Sequence, residues 1–522
     1  MSVKPNFSLS TRDGAWSALL GLAAFALYLR TLIPYPLPGD SGEFQVLVHQ
    51  LGLAHTTGYS TYLLLGHAFE QMVPFGAVAW RVNLFSALMA ALTVGGLFLA
   101  STVVTGNRLA AAVGAACLAV GYTFWSQAII AEVYSTGAFF MVAALLCVLI
   151  WYRTGSRWAV MLAGLFGGAG LGAHGSLAPF GVAIAFFLLL NWTRWREWLA
   201  PGLIGALLGV AIYVGGALIV DANQAPANIF AAAYTPSRTK WDLSAAAVET
   251  PAQRIWFLIS AGQWRSALFG DPIANTQPGL LVYLDKLQRE FSMMALLLVL
   301  PGVAALFRRD WRLAAFLSSA LLIQVVFYVN YEVGDRYVFF IPSYLLLALF
   351  VSGGAALLLD LLANRLRAAH YVQIGAAVLL ALLCVWPMVR PYWRAVRDGS
   401  PPFLDVRGYL VQRDTISFSR IAPLVTAELE PDAIVLTNWN WLYAYYYAAH
   451  IEQGKTGIQF IETYPRSDTP GLAPSLLEFI AANIAERPIY TTEQDIAFTR
   501  AGYRTQPVQV GPQIFYRLEP MP

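Results

Sequence analysis

The stretch LPGDSGEFQVLVHQLGLAHTTGYSTY, residues 37–62, brings acids and histidines together directly after an apolar segment. Its ionisable residues are Asp40, Glu43, His49 and His55. A charged side chain inside the lipid hydrocarbon is costly and is functional where it occurs. The stretch therefore has to face water at the edge of a membrane, and it is the first candidate for a site.

The composition places the chain in a membrane. Hydrophobic residues make up 58% of the 522 residues, charged residues make up 12%, and the mean hydropathy is +0.57. A soluble domain carries about 25% charged residues, so we predict an α-helical polytopic membrane protein with the lipid bilayer as its surroundings. The net charge of +3, without a block of Lys or Arg, argues against a nucleic-acid partner.

Apolar runs predict about eleven transmembrane helices within residues 1–391. The shorter runs have a second interpretation, because two of them can be half-helices or parts of one broken span. The predicted spans are 15–33, 84–104, 109–125, 133–153, 158–173, 176–192, 200–221, 293–308, 312–330, 338–362 and 371–391.

Basic residues predict the orientation of these helices. With the N-terminus in the cytoplasm, alternate short loops carry Lys or Arg, as is typical of cytoplasmic loops. The first outer loop, 34–83, and the long outer loop, 221–290, then lie on the opposite side and hold the polar clusters. The basic residues used are Lys4, Arg12, Arg108, Arg153, Arg157, Arg194, Arg196, Arg308, Arg309, Arg312, Arg365 and Arg367.

Beyond residue 391 the chain changes character. PDAIVLTNWNWLYAYYYAAH (431–450) predicts a strand followed by an aromatic helix, which is either a core helix or a sugar-stacking surface. RPIYTTEQD (487–495) and GPQIFYRLEP (511–520) predict further strands. We therefore predict a soluble α/β domain at 392–522, outside the cytoplasm because the helix count is odd.

The first outer loop has helical periodicity. SGEFQVLVHQLGLA (41–54) and GYSTYLLLGHAFEQMV (58–73) predict two interfacial helices joined by HTTG. Asp40 or Ser41 is then a candidate N-cap, and Glu43 can close a capping box. For both acids this local structural role stands beside a chemical one.

A family resemblance is carried by three stretches in order. They are YLRTLIPYPLPGDSGEFQVLVHQLGLAHTTGYSTYLLLGHAF (28–69), AWRVNLFSALMAAL (79–92) and FWSQAIIAEVYSTGAFF (124–140). Over about residues 20–180 the chain resembles a mostly bacterial family of GT-C superfamily membrane glycosyltransferases, formerly catalogued as a domain of unknown function. Its animal members resemble the transmembrane protein O-mannosyltransferase that acts on plexin-type receptors.

The resemblance implies transfer of a sugar from a polyprenyl-phosphate carrier to a hydroxyl acceptor on the extracytoplasmic face. By position, the catalytic acid of the first outer loop is Asp40, acting as general base on the acceptor hydroxyl. A single displacement of the carrier phosphate inverts the anomeric carbon. The implied location is a bacterial plasma membrane, with protein Ser/Thr or a cell-envelope glycan as acceptor and mannose as one candidate sugar.

The remaining candidates are assigned to substrate binding. Each has a structural alternative, such as a helix-dipole partner for Glu132 or an interfacial anchor for an arginine. A divalent metal held by Asp40, Glu43 and Glu132 is left open, and no cofactor is certain. The substrate-binding candidates are Glu43, His55, Glu132, His174, Arg30, Arg81 and Arg336.

Two other interpretations of the function remain, and the sequence departs from that of the related proteins at one turn. A membrane transporter or lipid-carrier flippase would use its acids to couple ions, but these acids lie in predicted loops. A scaffold explains the C-terminal domain but not the sequence GDSGEFQ. Relatives usually have His-Pro-Pro-Gly-Tyr-Pro where residues 55–60 read HTTGYS, which puts the geometry of this turn in question.

Overall fold

A computed structural model describes residues 9–364, 369–402, 415–466 and 469–522. Three residues used above for the orientation, Lys4, Arg365 and Arg367, lie outside these ranges. The chain divides into two compact units. One comprises Met1–Ile33, Leu84–Tyr213 and Ser266–Phe403, and the other comprises Pro34–Asn83, Val214–Arg265 and Leu404–Pro522. The predicted boundary between residues 391 and 392 stays a prediction.

Long, mostly apolar runs fold as helices, since a helix satisfies its own backbone hydrogen bonds. The helices before residue 400 are α1 Thr11–Arg30, α2 Gly39–Gln50, α3 Ser60–Met72, α4 Val78–Thr105, α5 Arg108–Ala119, α6 Tyr122–Ala128, α7 Tyr134–Thr154, α8 Arg157–Leu171, α9 Leu177–Leu190, α10 Trp195–Ala222, α11 Pro251–Ile259, α12 Pro272–Glu290, α13 Met293–Arg309, α14 Trp311–Val329, α15 Ile341–Asn364, α16 His370–Val389 and α17 Trp393–Asp398.

Six helices in the described ranges are long and apolar enough to cross a membrane. They run over Val78–Thr105, Tyr134–Thr154, Trp192–Ala222, Trp311–Val329, Arg336–Asn364 and His370–Asp398. Two further spans are added if each of two bent helix pairs counts as one, which makes eight at most. The prediction of an α-helical membrane protein is therefore confirmed, whereas the count of eleven is not.

The difference has local causes. The predicted span 109–125 is bent by 68° between α5 and α6, and the span predicted at 293–308 follows a 111° bend after α12. Helices α8 and α9 have 15 and 14 residues, fewer than the roughly 20 that cross a bilayer. Helix α1 carries Asp13 and Arg30 near its ends, which shortens its apolar stretch.

Residues 34–83, the predicted first outer loop, form the two predicted helices, α2 and α3. Helix α2 is almost entirely enclosed by protein, and the helix Trp439–Tyr446 packs against it. Gly42 permits this approach, because a Cβ atom there would collide with the carbonyl oxygen of Leu37 and lie 3.4 Å from the Cβ of Tyr443. The sequence GDSG thus serves close packing of the helix that bears the candidate acids.

The C-terminal segment contains the predicted α/β structure. Its helices are α18 Thr415–Glu428, α19 Trp439–Tyr446, α20 Pro474–Asn483 and α21 Ile496–Arg500, and its strands are β1 Ile434–Thr437, β2 Gln459–Glu462, β3 Ile489–Thr491, β4 Tyr503–Val510 and β5 Gln513–Pro520. Strands β1, β3 and β5 were predicted. Strands β2 and β4 were missed, because their sequences contain polar residues and lack a clear alternation.

The five strands form one sheet in the order β2-β1-β3-β5-β4. Strand β1 pairs in parallel with β2 and β3, whereas β5 is antiparallel to β3 and β4. Thr437 of β1 lies opposite Glu462 of β2, so these two strands end at the same edge of the sheet. Helix α19 begins two residues after Thr437, at that edge. Ligands of parallel sheets bind at such carboxyl edges.

Candidate active site

The Asp40 carboxylate lies in the first turn of α2. This helix starts at Gly39 with Pro38 as its N-cap, and no side chain caps it. The expectation that Asp40 or Ser41 caps the helix is therefore wrong, because the helix begins earlier than predicted. Instead the indole Nε1–H of Trp439 donates to Oδ1 of Asp40 at 2.6 Å. The Asp40 side chain remains 26% exposed, so it can still reach a substrate.

Glu43 is turned away from the start of its helix and faces the loop after it. Its carboxylate accepts from the backbone N–H of His55 at 2.8 Å and from the His55 imidazole Nδ1 at 2.5 Å. The expected capping box is thus replaced by two bonds to one residue of the turn. Burial raises the pKa of the fully buried Glu43 carboxyl, and the adjacent His55 opposes that rise.

The His55 imidazole stands between the two acids. With Nδ1 bound to Glu43, its Nε2 lies 4.0 Å from Oδ2 of Asp40 and 3.4 Å from the hydroxyl of Tyr59. The ring of Trp439 meets it nearly edge-on, at 6.0 Å between ring centres. The structure therefore brings together Asp40, Glu43 and His55, which the sequence analysis singled out.

The turn HTTGYS is held without the prolines of the related sequences. The backbone N–H of Thr56 donates to the hydroxyl of Tyr234, which donates to Oε1 of Gln263 at 2.6 Å. Gly58 has φ +81°, and a Cβ atom there would lie 3.1 Å from Leu258. This turn is thus held by contacts with Tyr234 and Leu258 rather than by the three prolines of the related sequences.

Glu462 is a site residue that the sequence analysis missed. It is the last residue of β2 and is 9% exposed. Burial, together with the negative charges of Glu43 and Asp40, raises the pKa of Glu462 to about 8. The signal in the sequence was a glutamate at the end of the apolar run GIQFIE, which becomes informative only once the strand is recognised.

Arg81, predicted to bind the carrier phosphate, forms an ion pair with Glu70. Glu70 is fully buried, and the guanidinium also donates to the carbonyl of Val73 at 3.1 Å. Nδ1 of His49 lies 3.4 Å from the same carboxylate. These contacts support the anchoring alternative for Arg81, and its phosphate role stays a prediction.

Glu132 and His174 lie in the other compact unit. The hydroxyl oxygen of Ser86 accepts from the backbone N–H of Glu132, which precedes α7 rather than beginning it. The Nδ1 of His174 accepts from the backbone N–H of Ser176 at 3.1 Å, and its ring lies 4.9 Å from that of Tyr134. Both predicted site residues are buried.

Arg30 and Arg336 also belong to that unit. Arg30 donates to the backbone carbonyls of Val396 and Arg397, at 3.2 and 2.6 Å. Arg336 donates to the carbonyl of Val329 at 3.3 Å. Their assignment to the carrier phosphate stays a prediction, and so does the assignment of Glu132 and His174 to substrate binding.

A metal centre is not formed by the residues that the structure describes. Within them, no group of three or more His, Cys, Asp or Glu side chains is arranged to hold an ion. Asp40 and Glu43 belong to one compact unit and Glu132 to the other, so a metal held by these three stays a prediction.

Comparison with known proteins adds a family to this geometry. Residues 40–199, which begin at the candidate base, match the model of the N-terminal domain of the protein O-mannosyl-transferase TMEM260. This part of the chain is TMEM260-like. The resemblance inferred from the three sequence stretches is thus confirmed.

Two curated relatives match part of this chain. The TMEM260 protein O-mannosyl-transferase of Mus musculus is 34% identical over 132 residues, which are 25% of this chain and 19% of the mouse protein. That of Dictyostelium discoideum is 29% identical over 136 residues, 26% of this chain and 16% of the relative. The matches thus cover less than a fifth of the length of either relative.

Two solved structures share the fold over nearly the whole chain. ArnT from Cupriavidus metallidurans, bound to undecaprenyl phosphate, superposes with a TM-score of 0.61 at 14% identity and covers 97% of this chain and 98% of its own. The apo oligosaccharyltransferase of Archaeoglobus fulgidus gives 0.52 at 13% identity, over 91% and 69%. At these identities the likeness is one of fold alone, and it agrees with the predicted helical membrane fold with a small C-terminal sheet.

Proposed function

We propose that the protein is an inverting glycosyltransferase that moves a sugar from a polyprenyl-phosphate carrier to a hydroxyl acceptor. The observation that carries the proposal is the Asp40 carboxylate, held by Trp439 on one oxygen and facing His55 with the other. This carboxylate begins the segment that is similar to protein O-mannosyl-transferases. The likeness of fold to a solved structure bound to undecaprenyl phosphate supports a lipid-linked donor.

The reaction follows from the chemistry of the carboxylate. Asp40 takes the proton of the acceptor hydroxyl while the hydroxyl oxygen attacks the anomeric carbon from the face opposite the phosphate. The new carbon–oxygen bond forms as the bond to the phosphate oxygen breaks, and the carrier phosphate leaves with the electron pair. One displacement inverts the anomeric carbon. A phosphate leaving group requires no general acid.

The surrounding residues hold the base ready. The Trp439 N–H fixes Oδ1 of Asp40, which leaves Oδ2 for the acceptor proton. His55 is oriented by Glu43, which binds both its backbone N–H and its Nδ1. A fixed base avoids the reorganisation that a mobile carboxylate would need in the transition state.

The donor and acceptor are proposed from the relatives. Mannose is the proposed sugar, because the matching curated proteins are protein O-mannosyl-transferases. Protein Ser or Thr is the first acceptor to test, followed by a cell-envelope glycan. Arg30 and Arg336 remain the proposed ligands of the carrier phosphate, because Arg neutralises a phosphate. His174 is proposed for the phosphate or the sugar, and Glu132 for the sugar or the acceptor.

The proposed topology places the site and the C-terminal domain on the extracytoplasmic face of a bacterial plasma membrane. Its support is the series of basic loops, which fall on one side under the positive-inside rule. Cysteines introduced singly into the loops 34–83 and 221–290, tested with a membrane-impermeant thiol reagent, check this orientation. Labelling in intact cells supports the proposal, and labelling only after lysis contradicts it.

The test of function is sugar transfer by the purified full-length protein. Mannosyl-phospho-polyprenol is supplied with a Ser/Thr-rich peptide or with envelope glycan, and Asp40→Asn is compared with the wild type. We expect turnover by the wild type and a loss on the order of 1,000-fold in Asp40→Asn, as is typical of removing a general base.

The matched control is Asp432→Asn, which changes an exposed aspartate in the C-terminal segment and should leave turnover unchanged. Equal turnover by wild type and Asp40→Asn would reject Asp40 as the base. Failure of mannosyl-phospho-polyprenol and of a series of other polyprenyl-phospho-sugars with the folded wild type would reject the glycosyltransferase itself.

A further inference from the structure

Glu462 ends strand β2 at the same sheet edge from which α19 begins. It pairs in register with Thr437, and Trp439 follows two residues after Thr437. Trp439 is the residue whose indole binds Asp40. The fold of the C-terminal segment therefore carries Glu462 to the pocket of the candidate base, although Glu462 and Asp40 are far apart in sequence.

The surroundings of Glu462 are acidic. Asp40 and Glu43 face it from α2, and the phenols of Tyr234 and Tyr443 face it from the segments packed against β2. His55 is a basic group that acts in the opposite direction and lowers the pKa of Glu462. Within the described ranges, the Glu462 carboxyl forms neither a hydrogen bond nor an ion pair with another residue.

A structural role does not account for this side chain. A buried carboxyl without a hydrogen-bond partner destabilises a fold, whereas an apolar residue at the end of a strand would not. A group of this kind is accounted for by a catalytic role or by a water, ion or ligand that completes its hydrogen bonding. Glu462 therefore has the features of a binding group whose partner comes from outside the chain.

We propose that the Glu462 carboxyl binds a hydroxyl group of the substrate beside Asp40, so that the C-terminal sheet supplies part of the substrate pocket. The proposal rests on the proposed function and names a further residue of the same site. The hydroxyl belongs either to the transferred sugar or to the acceptor, which the experiment distinguishes.

The protonation of Glu462 gives the proposal a pH signature. Because burial and the neighbouring acids raise its pKa to about 8, the carboxyl keeps its proton at neutral pH and can donate a hydrogen bond. Above this pH it becomes a second carboxylate beside Asp40 and loses the donor. Binding should therefore weaken as the pH rises through about 8.

The first experiment compares the transfer kinetics of wild type, Glu462→Gln and Glu462→Ala across the pH range that brackets this pKa. We expect Glu462→Ala to lose kcat/KM on the order of 10- to 100-fold, as for a lost substrate hydrogen bond. Glu462→Gln keeps a neutral donor, so it should retain most activity and should not show the decline at alkaline pH. Glu486→Gln, an exposed carboxyl of the same segment, is the control.

The substrate whose KM rises identifies the source of the hydroxyl: the donor for a sugar hydroxyl, the peptide for an acceptor hydroxyl. Unchanged kinetics in Glu462→Ala, with a pH profile like that of wild type, would overturn the proposal.

A second readout does not depend on turnover. Infrared difference spectra of wild type against Glu462→Gln should show the carbonyl band of a protonated carboxyl at neutral pH, and this band should disappear as the pH rises through about 8. Mannosyl-phospho-polyprenol or the Ser/Thr peptide should shift this band. A band that neither compound shifts would overturn the proposal, even if the wild type proves inactive in transfer.

Discussion

The hydrogen bond between Trp439 and Asp40 allows a sharp test of how the base is held. Trp439→Phe keeps an aromatic ring in place but removes the indole N–H that lies 2.6 Å from Oδ1. A hydrogen bond to a charged acceptor contributes about 1.5–3 kcal/mol, which corresponds to roughly 10- to 150-fold in rate. Because Asp40 is 26% exposed, water can replace the lost donor, so we expect the lower end, about tenfold in kcat.

The assay is the transfer reaction at saturating donor and acceptor, with the thermal unfolding temperature measured in parallel. The control is Trp441→Phe on the same helix, whose ring stacks on Tyr445 at 5.1 Å. It should change stability without changing kcat. If both variants keep the wild-type kcat, Trp439 serves only packing, and the account of how Asp40 is oriented is refuted.

Two further substitutions test the contacts around the site. Glu70→Gln leaves the Arg81 guanidinium without its buried carboxylate, so we expect a loss of about 3 kcal/mol in the free energy of unfolding. An unchanged unfolding temperature would contradict this. If Arg81→Gln raises the KM for the carrier and Glu70→Gln does not, the phosphate role of Arg81 is favoured. Gly58→Ala places a Cβ atom where φ is +81° and Leu258 is 3.1 Å away, so denaturant titration should show a loss of about 1–2 kcal/mol in the free energy of unfolding. The control is Gly14→Ala, whose Cβ atom would meet no other atom within 4 Å and which should show no such loss.

The local part of the site was predictable from sequence. Asp40 and Glu43 share one helix, and the turn with His55 follows it directly, so helical periodicity and a short connection are enough to bring them near each other. Their hydrogen bonds were not predictable, because α2 has Pro38 as its N-cap rather than Asp40 or Ser41. That shift turns a capping acid into a side chain that faces Trp439.

The distant part of the site was not predictable in the same way. Trp439 lies 399 residues after Asp40, and only the parallel pairing of β1 and β2 places it at one edge with Glu462. Periodicity reports which face of an element is apolar, but it carries no information on which distant element packs there. Glu70 was likewise not among the predicted site residues, although it is fully buried and paired with Arg81.

The composition of the second unit matters for engineering. It is assembled from Pro34–Asn83, Val214–Arg265 and Leu404–Pro522, so the C-terminal segment is not an independent module that can be exchanged at a single junction. A chimera that replaces only residues 392–522 would break the contacts of α19 with α2. Grafting a new acceptor preference from a relative therefore requires all three segments to be transplanted together.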